Sequence, residues 1–175
     1  MKLNGIVRKI DNLGRIVIPI ELRKRLKIDQ NDDIEIKIEN NKIVLSKYNK
    51  LSELNNILYL MSKSYNNLTG INIIVTDKER IIYSNKEIYK NKNISKIIRN
   101  NIDNEIEIDF YKKVEITNDL FIESYIYSKN IKISGFSYGQ FIVYSKNMIS
   151  IKDKEILNDL VLLLSNILDW IDFKF

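Results

Sequence analysis

Two short runs near the N-terminus are apolar on both faces of the strands that they predict. In "GIVRKI", Val7 falls on the face opposite to Ile6 and Ile10. The run "RIVI", residues 15–18, alternates in the same way. Such strands need cover on two sides, and a segment of about 50 residues buries little surface by itself. A second copy of the same segment is the simplest cover, so the pattern predicts an intertwined homodimer.

The residues around these strands indicate a turn and a short helix. The turn "DNLG" ends in Gly14, which supplies a positive φ where the turn needs one. Pro19 suits the first turn of a helix, because its missing N–H costs nothing there. The helix is predicted over residues 20–26, with Leu22 and Leu26 four residues apart on its buried stripe.

A hairpin is predicted after the helix. Ile34, Ile36 and Ile38 alternate with charged residues, which is typical of a half-buried strand. Asn40 and Asn41 suit a two-residue turn, since Asn tolerates the left-handed region. The run "KIVLSKY" then returns as the partner strand.

The net charge of +5 belongs to the first 50 residues. They hold twelve Lys and Arg against seven Asp and Glu, whereas residues 51–175 hold sixteen of each sign. Arg25 has a local ion-pair partner at helical spacing in Glu21, while Arg23 and Lys24 have none. This asymmetry indicates an anionic partner for the N-terminal part of the chain.

The stretch "GIVRKIDNLGRIVIPIELRKRLKI…DDIEIKIENNKIVLSKY" resembles the DNA-binding domain of AbrB-type transition-state regulators over nearly all of residues 3–48. The resemblance implies a swapped-hairpin β-barrel made by two interleaved chains. It also implies that these cations neutralise DNA phosphates and, near base edges, contact guanine O6 and N7. The resemblance implies Arg8, Arg15, Arg23 and Lys24 as DNA-binding residues, and the positive charge of the same stretch adds Lys9.

A linker and dimerisation helix is predicted over residues 51–69, with Ser52 as its cap and Gly70 near its end. Its apolar side chains recur at alternating spacings of three and four residues. They are Leu51, Leu54, Leu58, Met61, Tyr65 and Leu68. Such a seam either simply covers one face of the chain's own sheet or also meets its counterpart in another chain, and its strictness favours a helical bundle between chains.

A second helix is predicted near the C-terminus, where Ser150 is the cap candidate. Its broad apolar face, which Trp170 would extend, suits either the chain's own sheet or the same bundle. The face consists of Leu157, Leu160, Val161, Leu164, Ile167, Leu168 and Ile171.

Strand-like runs and one helical run, "NISKIIRNNI", lie between the two helices. The strand-like runs are "INIIVTD", "RIIYSN", "EIEIDF", "KVEITN", "FIESYIYSK" and "GQFIVYSK". The order of elements over residues 70–175 resembles a GAF or PAS-type sensor domain, and Gly139 before "QFIVYSK" favours GAF. The combination with an AbrB-type N-terminal domain is similar to a family of sporulation regulators that control forespore transcription.

The segment "NIKISGFSYGQ", Asn130–Gln140, either lines a ligand pocket or is a plain strand connection, and its composition favours the connection. The sequence names no small-molecule ligand for the GAF-like domain and implies no cofactor. Cys and His are absent, which removes disulfides, thiol chemistry and the commonest general base and metal ligand. No motif supports an enzyme or a metal site.

These patterns together predict an α+β chain. Residues 1–50 form an AbrB-type DNA-binding domain, residues 51–69 a linker helix, and residues 70–175 a GAF-like α/β domain with flanking bundle helices. The expected function is transcription regulation on AT-rich double-stranded promoter DNA, as a dimer through residues 1–50 and a tetramer through the C-terminal helices.

The main alternative function is that of an antitoxin, because the same N-terminal domain occurs in MazE-like antidotes. Those usually carry a short, acidic, disordered tail, whereas the tail here is long, neutral and patterned. No apolar run approaches the roughly 20 residues that cross a bilayer, and the N-terminus lacks the order of a signal peptide. A cytoplasmic, nucleoid-associated protein is therefore expected.

Overall fold

The computed structural model describes residues 5–26, 28, 30, 34–48, 51 and 54–172, with side chains up to Trp170. The chain divides into two compact units, residues 1–48 and residues 49–175. We call them the N-terminal unit and the C-terminal unit. No helix among the described residues is long and apolar enough to span a membrane.

The N-terminal unit contains a short helix and a hairpin. Helix α1 spans Ile20–Leu26, as predicted. Strands β1 (Ile34–Glu39) and β2 (Lys42–Lys47) pair antiparallel around a two-residue turn. Asn40 and Asn41 have φ values of 49° and 60°, so both occupy the left-handed region that this tight turn requires. The predicted hairpin is thus confirmed in position and in turn chemistry.

The two strands predicted before α1 are not strands in this chain. Residues 5–10 and 15–18 join no sheet in the described part of the chain, where β1 and β2 pair only with each other. The predicted buried stripe of α1 is also wrong for a single chain, since Leu22 is half-buried and Leu26 is exposed. A strand needs a neighbouring strand to complete its ladder, and an apolar stripe needs a surface to cover it.

The C-terminal unit is built on a five-stranded antiparallel sheet with the order β4-β3-β7-β6-β5. Its strands are β3 (Asn72–Asp77), β4 (Ile81–Ser84), β5 (Asp109–Thr117), β6 (Leu120–Ile133) and β7 (Phe136–Ser145). Its helices are α2 (Asn55–Thr69), α3 (Lys96–Asp103) and α4 (Ile151–Asp172). The predicted order of helix, two strands, helix, several strands and helix is confirmed.

Each face of this sheet carries its own apolar core. One core joins the sheet to α2 and α4, through side chains such as Leu58, Phe141 and Leu164. The other lies on the α3 side and includes Ile98 and Ile142. Alternate residues of β7 point to the two faces, which explains why this central strand is apolar almost throughout.

The seam of α2 is buried inside its own unit. Leu51, Leu54, Leu58 and Tyr65 all belong to the core between α2, α4 and the sheet. These four side chains thus cover the sheet of their own chain. The helical bundle between chains, which the strict spacing favoured, stays a prediction. Leu68, the last residue of the seam, is exposed, and the predicted cap Ser52 lies outside the described residues.

Helix α4 also covers the sheet of its own unit. Ser150 caps it as predicted, because its Oγ accepts a hydrogen bond from the Asp153 N–H at 3.1 Å. Leu157, Val161, Leu164 and Leu168 are buried from the predicted face, and Leu160 and Ile167 pack beside them. The side chain of Ile171 lies outside the described residues. Trp170 is 59% exposed, so it does not extend that face.

The run "EIEIDF" is not a separate strand, which corrects another prediction. Its first four residues precede β5, and Glu105 has a positive φ of 55°. The Ile106 N–H donates to the Asn101 carbonyl at 2.7 Å, and the Ile108 N–H donates to Ser128 Oγ at 2.8 Å. These backbone groups are therefore satisfied by a helix end and a side chain in place of a strand ladder.

Asn130–Gln140 is a plain strand connection in its backbone. It comprises the end of β6, a two-residue turn at Ser134 and Gly135, and the start of β7. Gly139 lies so close to β3 that a Cβ there would stand 2.0 Å from the Thr76 carbonyl oxygen. The glycine that favoured GAF thus permits close packing of two strands.

Candidate nucleic-acid interface

All five cations predicted to contact DNA are exposed and lie in the N-terminal unit. Arg8 and Lys9 precede the turn at residues 11–14, and Arg15 follows it directly. Arg23 and Lys24 lie within α1. Their exposure is what a phosphate-contacting role requires, since such side chains must reach an anion outside the protein.

The turn before Arg15 is organised by the carboxylate of Asp11. Asp11 Oδ1 accepts hydrogen bonds from the backbone N–H groups of Leu13 and Arg15, at 2.9 and 2.8 Å. Two backbone hydrogen bonds close the same turn, from the Gly14 N–H to the Asp11 carbonyl and from the Asp11 N–H to the Arg15 carbonyl. Gly14 has a φ of 77°, which explains the glycine at this position.

The same carboxylate also engages the Arg15 side chain. Arg15 Nε donates to Asp11 Oδ2 at 2.8 Å, and the arginine side chain remains 71% exposed. The Arg15 backbone N–H and then its guanidinium hold the pKa of Asp11 below the ordinary value of an aspartate. Sequence reasoning missed this pair, although an Asp and an Arg four residues apart around a glycine turn would have signalled it.

Helix α1 presents the second group of cations. Pro19 directly precedes the helix, and its carbonyl accepts from the Arg23 N–H at 3.0 Å. Glu21 and Arg25 form no ion pair among the described residues, contrary to the pairing expected from their spacing. Exposed pairs at this spacing are worth only a few tenths of a kcal/mol, so the helix does not depend on them.

The hairpin of the N-terminal unit has an uncovered apolar face. Ile36 pairs with Leu45 and Ile38 with Ile43 in the strand register, so the four side chains share one face. Ile38 is 82% exposed in a single chain, and Ile36 and Ile43 are each 68% exposed. Four neighbouring aliphatic side chains in water form a patch of the kind that marks an interface.

The C-terminal unit contains a surface recess and, separately, a buried row of polar side chains. A recess of about 340 Å³ lies beside the start of β5 and is lined partly by Tyr111, Tyr125 and Lys154. Separately, Gln140 pairs in register with Thr76 on one side and Asn130 on the other, which gives a buried polar row. Thr76 Oγ1, Gln140 Oε1 and Asn130 Nδ2 have no hydrogen-bond partner among the described atoms.

Comparison with known proteins gives similarity over the whole chain and over the N-terminal unit. The chain is 32% identical to stage V sporulation protein T of Bacillus subtilis (strain 168) over 155 residues, which cover 84% of this chain and 86% of that protein. It is 58% identical to the transition state regulatory protein AbrB of the same organism over 48 residues, which cover 27% of this chain and 50% of AbrB.

A family model and a solved structure also match the N-terminal part. Residues 7–52 match the family described as antidote-toxin recognition MazE, bacterial antitoxin. The solution structure of the N-domain of the transcription factor abrB is 58% identical and covers 27% of this chain and 92% of that one, with a TM-score of 0.26.

Proposed function

Since this chain belongs to the family of stage V sporulation protein T, we propose that it regulates transcription of sporulation genes by binding double-stranded DNA. The observation that carries the proposal is the N-terminal unit, which is 58% identical to a transition state regulator and exposes all five candidate cations. Such a protein works on the nucleoid, in the cytoplasm.

Arg8, Lys9, Arg15, Arg23 and Lys24 form the proposed DNA-contacting set. Cations that neutralise phosphates release condensed counterions, which is the main sequence-independent source of affinity. Arg8 and Arg23 have no carboxylate partner among the described residues, so their full charge is available to phosphates. AT-rich promoter DNA suits this set, because a protein that relies on backbone contacts reads DNA shape and flexibility.

We propose that the N-terminal unit acts as a swapped-hairpin dimer. The apolar hairpin face of Ile36, Ile38, Ile43 and Leu45 is exposed in a single chain. Residues 5–10 and 15–18 have no strand partner within the described part of that chain. A second copy of the chain would cover the hairpin face and would supply strand partners to residues 5–10 and 15–18. Dimerisation also doubles the number of cations that face the DNA.

The C-terminal unit is proposed to be a GAF-like regulatory domain that joins dimers into a tetramer. The buried seams of α2 and α4 leave other apolar side chains on the two helices for this contact. Exposed examples are Leu60, Leu68, Leu162, Leu163 and Trp170. Two linked DNA-binding units raise the effective concentration of each on DNA that carries two sites. A small molecule that bound the C-terminal unit and altered the spacing of the DNA-binding units would thereby change transcription.

An antitoxin is the second candidate function, because the family model that matches residues 7–52 describes antitoxins. The C-terminal unit argues against it. Residues 54–172 form a helix-covered sheet with two apolar cores, whereas a toxin-wrapping tail folds only on its partner.

The test is fluorescence anisotropy of the full chain on an AT-rich duplex across a salt series. We expect a steep decrease in affinity with salt. Arg23→Ala should weaken binding and lower the salt slope by about one for each phosphate that is no longer neutralised. Lys146→Ala is the matched control, because Lys146 is an exposed cation of the C-terminal unit.

Absence of binding at low salt would contradict the proposed function. If Arg23→Ala and Lys146→Ala changed DNA affinity equally, DNA binding would still stand as the function. Helix α1 would then not belong to the contact surface. Specific capture of a toxin by the C-terminal unit would favour the antitoxin.

A further inference from the structure

Three hydrogen bonds converge on one exposed carboxylate at the proposed DNA surface. Asp11 Oδ1 holds the backbone of the turn through the N–H groups of Leu13 and Arg15, and Asp11 Oδ2 holds Arg15 Nε at 2.8 Å. The backbone and the side chain of Arg15 are thus both tied to a single residue. An exposed arginine otherwise has many rotamers, and ordering it costs entropy at the moment of binding.

The hydrogen bond to Asp11 determines which edge of the guanidinium remains free. An arginine carries five N–H donors, one on Nε and four on the two Nη atoms. Asp11 occupies Nε, so the end formed by the two Nη atoms is left for a ligand. Two parallel N–H groups at that end match the O6 and N7 acceptors of guanine in the major groove.

The pairing also affects how much Arg15 gains from phosphates. A carboxylate beside the guanidinium leaves the pair with little net charge, which weakens its attraction to the phosphate backbone. The direction and spacing of the free N–H groups are unaffected. An arginine that only neutralised phosphates would bind better without this carboxylate, and Arg8 and Arg23 have none among the described residues.

We propose that Asp11 is a positioning residue that orients Arg15 for a bidentate contact with a guanine edge. The proposal rests on the proposed DNA-binding function and adds a division of labour to it. Arg8 and Arg23 supply affinity through phosphates, while the Asp11–Arg15 pair supplies base discrimination. The negative charge of Asp11 weakens only the attraction to phosphates, which is the same for every DNA sequence.

The experiment compares two duplexes and three variants of the full chain. A duplex enriched from a random AT-rich library by the wild-type chain is synthesised with guanine or with 7-deazaguanine, which lacks the N7 acceptor and keeps Watson–Crick pairing. Asp11→Asn retains an oxygen for the two backbone N–H groups but removes the carboxylate at Arg15 Nε. Glu21→Gln is the matched control, since Glu21 is an exposed acid on α1. Arg15→Ala keeps Asp11 and the backbone N–H that it holds, and removes every side-chain N–H donor at this position.

We expect the wild-type chain to prefer guanine over 7-deazaguanine by about tenfold, the discrimination typical of a bidentate contact. Asp11→Asn should reduce the ratio towards one and yet bind a 7-deazaguanine duplex at least as tightly as the wild-type chain does. Glu21→Gln should keep the ratio. Arg15→Ala should abolish it, and this variant tests the contact of the guanidinium with guanine even if Asp11→Asn perturbs the turn.

Each other outcome is decisive. A wild-type chain that binds both duplexes equally would overturn the base contact, and an Asp11→Asn chain that keeps the full ratio would overturn the positioning role. A uniform decrease in affinity in Asp11→Asn, with an unchanged ratio, would show that Asp11 only stabilises the turn. Absence of binding by the wild-type chain would instead refute the proposed function.

Discussion

The hairpin face of the N-terminal unit gives a quantitative prediction for Ile38→Thr. Ile38 is 82% exposed in a single chain and shares its face with Ile36, Ile43 and Leu45. Threonine keeps the β-branched shape that favours a strand, so β1 should persist. It removes a methyl group from the end of the side chain and places a hydroxyl on the apolar face. The expected result is a weaker dimer with an intact hairpin.

The magnitude follows from the area that the partner would cover. Full burial of an isoleucine side chain is worth about 1.5–3 kcal/mol, and about four-fifths of that surface is available here. Threonine keeps about half of that apolar surface, but it also buries a hydroxyl at a cost of about 1 kcal/mol, so the substitution should cost roughly 1–2.5 kcal/mol per chain. Two-fold symmetry places it in both chains, so the dimer loses about 2–5 kcal/mol. At about 1.4 kcal/mol for each factor of ten, the dissociation constant should rise roughly 30- to 3000-fold.

Sedimentation equilibrium of the full chain over a dilution series measures this change. Ile88→Thr is the matched control, because Ile88 is an exposed isoleucine of the C-terminal unit. DNA affinity should fall together with assembly in Ile38→Thr and should be unchanged in Ile88→Thr. If both variants assembled and bound DNA like the wild-type chain, the hairpin face would not be an interface between copies.

Three further predictions concern packing, burial and pH. Gly139→Ala should destabilise the C-terminal unit by about 3 kcal/mol in urea unfolding, since its Cβ would meet the Thr76 carbonyl oxygen at 2.0 Å; an unchanged midpoint would refute the close approach. Thr76→Val should be neutral or stabilising by about 1 kcal/mol, because it removes a buried hydroxyl without a described partner; a clear decrease in stability would reveal a bound water or ligand. The Asp11–Arg15 ion pair should persist from pH 8 to pH 5 and break only as the pH falls through the depressed pKa of Asp11. Carbon NMR of the carboxyl group checks this, and titration at or above the ordinary aspartate pKa would contradict the ion pair.

Elements with a strong local signal were predicted closely. Helix α1 has the predicted bounds, and the hairpin turns at Asn40 and Asn41 with the expected positive φ values. The cap Ser150 also lies where its spacing indicated. These features depend on residues fewer than five positions apart, so the sequence contains the information that they need.

The residues of the candidate site were predicted from the sequence, but the arrangement of their side chains was not. The exposure of all five cations agrees with their expected role, and their contact with DNA stays a prediction. The partner of Arg15 was missed because ion pairs were expected only at four-residue spacing within a helix, as between Glu21 and Arg25. The ion pair instead joins Arg15 to Asp11, because the turn at Gly14 places the Asp11 carboxylate beside the guanidinium.

The amino-acid sequence alone dictates the short helix, the tight turns, the positive charge of the N-terminal unit and the order of elements in the C-terminal unit. Each follows from local backbone preferences or from side-chain periodicity within a segment. Which apolar faces are buried within the chain depends on how distant segments pack together. That packing buries the seam of α2 against its own sheet and leaves the hairpin face of Ile38 open. The spacing of three and four residues in α2 and the alternation in β1 each show that a face needs cover, and neither says which distant surface supplies it.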